Sequence, residues 1–158
     1  SVVHNGEISS YDANRRAMEM YGYKCTLQTD TEVITYIIDY LNRKKSLKFD
    51  EICSVIAAPF WSTIENKPEK EKQQLKYLRS NFADQLITGP FSIIVGFDGG
   101  IMALNDRLKL RNMVIGEKDD MVYIASEEAA IRIIQPQLDN IWSPKGGEGV
   151  IITLKERS

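Results

Sequence analysis

The stretch Val2-Val3-His4-Asn5-Gly6-Glu7-Ile8 decides how the rest of this chain is interpreted. Its first two residues suit the end of a buried strand, which is expected to stop at His4-Asn5-Gly6. An asparagine amide is a neutral hydrogen-bond donor, and glycine lets its backbone N–H approach a ligand closely. Two such donors converging on one point form an oxyanion hole for acyl transfer. Asn-Gly is also a common turn dipeptide, and these residues alone favour the turn.

The composition is that of an ordinary globular protein. The chain has 158 residues, 43% hydrophobic and 27% charged, so a single domain over 1–158 with a substantial core is expected. A net charge of −2 gives no electrostatic reason to expect nucleic acid as a partner. No apolar run reaches the ~20 residues that cross a membrane, and no secretory signal pattern is present, so we expect a cytoplasmic protein.

The two cysteines, Cys25 and Cys53, are far apart and lack metal-ligand spacing. They are interpreted as buried thiols, with one disulfide between them left open. The sequence contains no nucleotide, flavin or iron–sulfur motif, so neither a cofactor nor a metal site is expected.

Helical patterns dominate the first half of the chain. A helix is predicted over 11–20, with Ser9 or Ser10 as its cap and Gly22 as its left-handed stop. Alternating bulky and polar residues over 23–27 predict a short strand. Thr29-Asp30-Thr31-Glu32 fits a capping box. Apolar residues then recur at helical spacing and predict an amphipathic helix: Val33, Ile34, Ile37, Ile38 and Leu41.

Residues 59–88 differ in composition and are predicted to form a surface insertion containing a helix. A helix beginning near Ser46 or Phe49 is expected to end before Pro59. The polar run 67–74 predicts an exposed loop that leads into an amphipathic helix. We interpret its charges as a solvated face.

The second half has the period of strands. Residues 91–97 and 101–104 flank the turn Asp98-Gly99-Gly100 and predict a hairpin, and 112–116 with 121–125 predict a second. A short helix is expected after Ser126, and 150–154 is expected to form the last strand. Helices followed by hairpins indicate an α+β fold with antiparallel sheet.

Asp30 lies 24 positions beyond Gly6, at the predicted start of a helix. A carboxylate there can bind the ammonium group of an amino-acid ligand, although Asp30 taken alone favours helix capping or interaction with the helix dipole. Together, His4-Asn5-Gly6-Glu7-Ile8 and Thr29-Asp30-Thr31-Glu32 resemble the paired motifs of class II glutamine amidotransferases, members of the N-terminal nucleophile hydrolase superfamily. The resemblance continues in the family's order and covers nearly the whole chain: Gly89-Pro90-Phe91-Ser92, Asn105 to Arg111, and Ile124-Ala125-Ser126-Glu127.

The resemblance implies a fold and roles for particular residues. The fold is an αββα sandwich of antiparallel sheets, lacking its first strands. Asn5 and Gly6 match the oxyanion hole, and Gly6 also lies against the bound glutamine. Asp30 matches the residue that holds the glutamine α-amino group. The other residues of these motifs are assigned structural roles: Glu7, Thr31 and Glu32 support or cap, His4 is a structural residue, and Arg107 and Arg111 order a loop through ion pairs.

The family's nucleophile is an N-terminal cysteine whose own α-amino group serves as base. Only Ser1, Val2 and Val3 precede His4, so we expect no nucleophile in this chain. Ser1 matches the oxyanion-hole strand rather than the nucleophile strand. Cys25 and Cys53 lie within predicted elements and present no free α-amino group. The chain is therefore expected to be a fragment, one part of a split protein, or an inactive homologue.

Two hypotheses about function follow. The first is a glutaminase domain that releases ammonia from glutamine for glutamate synthase or a related amination, not competent on this chain alone. The glutamate synthase resemblance rests on 142–148 and on Leu110-Arg111, whereas Lys109 and Asn112 depart from it. The second is a catalytically inactive regulatory or assembly domain. Expected partners are glutamine, a synthase domain or subunit and an upstream segment, and an unpaired sheet edge would also favour a homo-oligomer.

Overall fold

Within residues 1–154, which the computed structural model describes, seven strands form two antiparallel sheets with helices outside them. The α+β class expected from the sequence is confirmed. The strands are β1 (Val2–Gly6), β2 (Phe91–Phe97), β3 (Gly100–Asn105), β4 (Val114–Lys118), β5 (Met121–Ala125), β6 (Asn140–Trp142) and β7 (Val150–Thr153). The helices are α1 (Tyr11–Met20), α2 (Asp30–Asp39), α3 (Phe49–Ile56), α4 (Trp61–Glu65), α5 (Glu69–Asn81) and α6 (Glu128–Ile134). A π-helical turn, Tyr40–Lys44, continues α2, and a 3₁₀ turn, Ala83–Gln85, follows α5.

The larger sheet has the strand order β1-β2-β3-β7, with every neighbouring pair antiparallel. The predicted β2–β3 hairpin lies at its centre. β1 pairs with β2 from Val2 opposite Val95 to Gly6 opposite Phe91. Because strand residues alternate between faces, one face of this sheet packs against the helices of the first half of the chain. Its buried residues there are Phe91, Ile93, Val95, Met102 and Leu104.

The smaller sheet has the order β5-β4-β6 and stacks on the other face of the larger one. Ala103 of β3 and Ile115 of β4 meet in a separate apolar cluster between the sheets. On the outer face of the smaller sheet, Ile131 of α6 packs closely over Gly116. The layers therefore follow the order helix, sheet, sheet, helix, as the sequence resemblance implies.

Helix α2 forms as its capping pattern predicts. The Thr29 hydroxyl oxygen accepts a hydrogen bond from the Glu32 backbone N–H at 3.2 Å. The predicted apolar face is buried against the larger sheet and its neighbouring helices: Val33, Ile34, Ile37, Ile38 and Leu41. Gly22 has a φ of +88° after α1, which confirms the predicted left-handed stop.

The strand predicted over residues 23–27 is wrong, because this segment has no strand partner. The Glu32 carboxylate turns back and accepts hydrogen bonds from the N–H groups of Thr26, Leu27 and Gln28 at 2.8–3.2 Å. One buried carboxylate thus satisfies the donors that a sheet would otherwise satisfy.

The loop predicted over residues 67–74 is also wrong, since α5 begins at Glu69. Its charges pair at helical spacing, including Lys67 with Glu71 at 2.7 Å, and Lys76 reaches Glu65 of α4 at 2.6 Å. Such exposed pairs support a helix only weakly, because water screens their charges. That residues 59–88 are an insertion stays a prediction.

Cys25 and Cys53 are both buried and unbridged, as the first interpretation expects. Burial raises the pKa of each thiol, to about 12 for Cys53, so neither is a ready thiolate at neutral pH. Cys53 lies in α3, and Cys25 lies in the irregular segment before α2 rather than on a strand. Across residues 1–154, no helix is both long enough and apolar enough to cross a membrane.

Candidate functional site

The site is built around the outer edge of β1. Among the described strands, β1 pairs only with β2. Ser1 and Gly96 exchange both backbone hydrogen bonds, at 2.9 and 2.8 Å. In an antiparallel pair, successive residues direct their backbone N–H groups alternately toward and away from the partner strand. Since Ser1 directs its N–H toward β2, Asn5 does so too, and Gly6 directs its own away from β2. The Gly6 N–H therefore points to the edge of the sheet that no described strand covers.

Gly6 has a backbone conformation that requires glycine. Its φ is +145°, and an added Cβ would clash with the carbonyl oxygen of Pro90 and lie 2.9 Å from the Phe91 Cα. Asn5 and Gly6 lie within β1, paired with Ser92 and Phe91. The simple Asn-Gly turn, favoured on those residues alone, is therefore wrong.

The Asn5 side chain is exposed and projects from the face of β1 that also carries Val3. Val3 lies opposite Ile94, which belongs to the apolar contact between the two sheets. Within the described part of the chain, no protein group hydrogen-bonds the Asn5 amide. Its N–H groups are thus available to a ligand at the edge of the strand.

Asp30 begins α2 on the opposite face of the larger sheet. Its Oδ2 atom accepts a hydrogen bond from the backbone N–H of Ile8 at 2.8 Å. Ile8 is two residues beyond Gly6, so the carboxylate lies within roughly 10 Å of Gly6. The predicted residues Asn5, Gly6 and Asp30 are therefore brought to one edge, with Asn5 and Asp30 on its two sides.

His4 is half-buried beside this edge and faces the helices. Burial lowers the pKa of its imidazole most strongly, the Asp30 carboxylate raises it, and the Arg111 cation lowers it. Its Nε2 atom is buried with no hydrogen-bond partner among residues 1–154. These features describe a neutral ring that packs under β1, in agreement with the structural role expected from the sequence.

The predicted ion pairs of Arg107 and Arg111 are absent from the part of the chain that the structure describes. The Arg107 guanidinium lies over the Phe60 ring, 4.7 Å from its centroid, and donates to the carbonyl oxygen of Ala58 at 3.4 Å. The expected ion pair of Arg107 was wrong, because its guanidinium contacts an aromatic ring and a backbone carbonyl oxygen rather than a carboxylate.

Asp106 is the residue of this region that sequence reasoning missed. It is buried, and its carboxylate accepts hydrogen bonds from the N–H groups of Phe91, Leu108, Leu110 and Arg111 at 3.0–3.3 Å. It therefore fixes the loop after β3 and holds Phe91, the strand partner of Gly6. An aspartate at a strand end that precedes a short loop is a recognised signal for such side-chain to backbone bonding.

Comparison with known proteins identifies the family. No protein-family model matches the chain. It is 46% identical over 157 residues to a protein of Archaeoglobus fulgidus, covering 99% of this chain and 42% of that protein. It is 31% identical over 133 residues to a protein of Methanothermobacter thermautotrophicus provisionally named a glutamine amidotransferase, covering 84% of this chain and 34% of that protein. The chain belongs to the class II glutamine amidotransferase domains.

A solved structure supports the fold of this amidotransferase domain. Glutamine phosphoribosylpyrophosphate amidotransferase from B. subtilis matches it with a TM-score of 0.61, covering 96% of this chain and 26% of that one at 19% identity. The αββα arrangement is thus a fold that the chain shares with that amidotransferase. The chain spans less than half the length of the relatives it matches, so the matched region is one part of each of them.

Proposed function

We propose that the amidotransferase domain binds L-glutamine across the outer edge of β1 and stabilises the oxyanion formed when its carboxamide is attacked. The Asn5 side-chain amide and the Gly6 N–H donate to that oxygen, and Asp30 holds the α-amino group. The observation that carries the proposal is the Gly6 N–H, which points to the uncovered edge beside an exposed Asn5 amide. Two preorganised donors at one edge are what such an intermediate requires.

Asp30 has the capacity for the second role. Its Oδ2 atom bonds the Ile8 N–H, and its Oδ1 atom has no protein donor among the described residues. An ammonium group bound there would meet a carboxylate already held in place by the backbone. The α-amino end and the carboxamide end of one glutamine would then lie on the two sides of β1.

The nucleophile comes from outside residues 1–154 in this proposal. The thiols of Cys25 and Cys53 are buried, and the Ser1 ammonium group donates to Gly96 about 13 Å along the strand from Asn5. A thiolate from another segment attacks the carboxamide carbon to form the oxyanion. The base that took the proton from the thiol passes it to the leaving nitrogen, the C–N bond breaks and ammonia leaves. Water then hydrolyses the thioester to glutamate and regenerates the thiol.

The acceptor of the ammonia belongs to another domain or subunit. Glutamate synthase is the acceptor enzyme favoured by the sequence resemblance over residues 142–148. In the structure Ser143 fixes this segment by donating to the carbonyl oxygen of Met113 at 2.7 Å. Glutamine is the ammonia donor at this site, and the substrate that receives the ammonia is bound by the rest of the protein.

A second candidate function is an inactive regulatory or assembly domain that binds an amino acid. It is favoured by the burial of both cysteines while Asp30 remains held at the edge of β1. It differs from the first function in one respect, since glutamine would bind and not be hydrolysed.

Glutamine-dependent ammonia release by the complete gene product separates the two functions. Asn5→Ala should lower kcat by about 10²–10³-fold with little change in KM, because one oxyanion donor is lost. Asp30→Asn should chiefly raise KM. Asn66→Ala is the matched control, since the Asn66 side chain at the end of α4 donates to the Ser62 carbonyl oxygen and to no other group within residues 1–154. Glutamine binding without ammonia release would support the inactive domain, and an active Asn5→Ala variant would contradict the oxyanion hole.

A further inference from the structure

A cluster of two arginines and two aromatic rings contains none of the residues proposed to bind glutamine. The Arg79 guanidinium of α5 stacks over the Trp61 ring, 4.4 Å from its centroid, and Arg107 stacks over Phe60. The two arginines also donate to neighbouring backbone carbonyls, Arg79 to Pro59 and Arg107 to Ala58. We call these four side chains the arginine–aromatic cluster.

No carboxylate within residues 1–154 forms an ion pair with this cluster. In residues 1–154, neither Arg79 nor Arg107 forms an ion pair. The two guanidinium groups lie near each other, because they donate to the carbonyl oxygens of the adjacent residues Pro59 and Ala58. Burial, and then repulsion from Arg107, lowers the pKa of Arg79. Each guanidinium has five N–H donors and uses one in the contacts above, so donors remain for an anion.

An apolar cavity of about 220 Å³ adjoins the cluster between α3 and α5. Trp61 and Arg79 form part of its wall, and the remainder is apolar, including Val55, Ala58, Phe82 and Leu86. It is smaller than the ~300 Å³ at the lower end of drug-sized pockets, so it suits a ligand with a compact body. The cavity and the cluster thus combine an apolar wall with unpaired cationic donors at the same place.

We propose that this place binds a small organic anion, with a carboxylate or phosphate group on Arg79 and Arg107 and an apolar or aromatic body in the cavity. Planar guanidinium groups match the oxygens of both anions and stack on aromatic rings at the same time. Binding relieves the repulsion between the two cations. The site shares no residue with the proposed glutamine site, which uses Asn5, Gly6 and Asp30.

The two tryptophans make the proposal directly testable. Trp61 belongs to the cluster, whereas Trp142 lies in β6 of the smaller sheet and serves as an internal control. The purified protein, labelled with ¹⁵N, is titrated with phenyl phosphate, benzoate, inorganic phosphate and benzyl alcohol. The indole signal of Trp61, assigned from Trp61→Phe, should shift saturably with phenyl phosphate or benzoate and that of Trp142 should not.

Dependence on the charge and on the apolar body is tested by variants and by probe choice. Arg79→Gln and Arg107→Gln should each weaken binding by about tenfold or more, because a charge-assisted contact is lost. Arg132→Gln on α6, an exposed arginine paired with Glu128, should leave it unchanged. Benzyl alcohol carries only the aromatic body and inorganic phosphate only the anionic group. Each should therefore bind at least about tenfold more weakly than phenyl phosphate or benzoate.

The proposal is overturned by any of three results. The first is the absence of a saturable Trp61 shift with both organic anions up to about 20 mM, a concentration that detects even a weak complex. The second is equal binding of benzyl alcohol or inorganic phosphate. The third is unchanged affinity in both Arg79→Gln and Arg107→Gln, with circular dichroism confirming that these two variants fold. The preference between phenyl phosphate and benzoate identifies the anionic group.

Discussion

The Asp30 carboxylate accepts a hydrogen bond from the Ile8 backbone N–H at 2.8 Å, which ties the first turn of α2 to the end of β1. Asp30 and Ile8 are 22 residues apart in sequence. The contact places a negative charge next to the edge from which Gly6 presents its N–H. The motif around Asn5-Gly6 and the motif around Asp30 are therefore in direct contact, since this hydrogen bond joins the start of α2 to the end of β1.

Gly6→Ala should destabilise the fold by about 2–4 kcal/mol, because the new Cβ meets the Pro90 carbonyl and φ is strained. Gly22→Ala is the matched control. Gly22 also has a positive φ, yet nothing lies within 4 Å of its added Cβ, so a loss of about 1 kcal/mol is expected. Urea unfolding of both variants measures the difference. Equal losses would show that the close approach to Pro90 does not matter.

Glu32→Ala should cost about 2–4 kcal/mol, since three backbone N–H groups lose a charged acceptor. Glu51→Ala serves for comparison, because Glu51 accepts from a single backbone N–H, that of Lys48, and should cost about 1 kcal/mol. Hydrogen exchange at Thr26, Leu27 and Gln28 should accelerate in the first variant alone. Unchanged exchange there would mean that Glu32 does not hold this segment.

Asp106→Ala should lower the free energy of unfolding by about 2–4 kcal/mol, because a buried carboxylate that accepts from four N–H groups is removed. The exposed Asp12 in the first turn of α1 provides the control, and Asp12→Ala should cost about 0.3–1 kcal/mol. Thermal or urea unfolding checks both values. If Asp106→Ala were as mild as the control, the loop after β3 would have to be fixed by other contacts.

His4 should make stability depend on pH. Burial lowers its pKa below the ordinary 6.5, so the unfolded chain takes up the proton first as the pH falls. The contribution of the neutral His4 ring to the free energy of unfolding is complete above pH 6.5. It declines as the pH falls from that value to the pKa of His4 in the folded protein. Because His4 is the sole histidine, His4→Gln should flatten the decline measured by urea unfolding between about pH 7.5 and 5.5. The same decline in both proteins would assign it to other groups.

Local signals in the sequence predicted the elements that depend on neighbouring residues. The β2–β3 hairpin follows from Asp98-Gly99-Gly100 and its flanking apolar runs, and α2 follows from Thr29 and the apolar spacing after it. The pairing of β1 with β2 joins residues about 90 positions apart, which no local pattern determines. The sequence analysis therefore did not predict it.

The errors arose where side chains replaced the expected partners. Residues 23–27 alternate like a strand, but the Glu32 carboxylate satisfies their donors and no sheet partner is needed. The polar run after residue 67 resembles a loop in composition, but its charges pair along α5. Asp106 was overlooked because its role depends on four N–H groups that gather only when β2 meets the loop after β3.

The measurement that tests the proposed site most directly is a glutamine titration of the ¹⁵N-labelled protein, followed at the Asn5 side-chain amide and at the Gly6 and Ile8 N–H signals. L-glutamine should shift all three saturably, and Asp30→Asn should weaken the binding about tenfold while Asp12→Asn does not. Shifts confined to other residues, or equal binding by the Asp30→Asn variant, would contradict a glutamine site at the edge of β1.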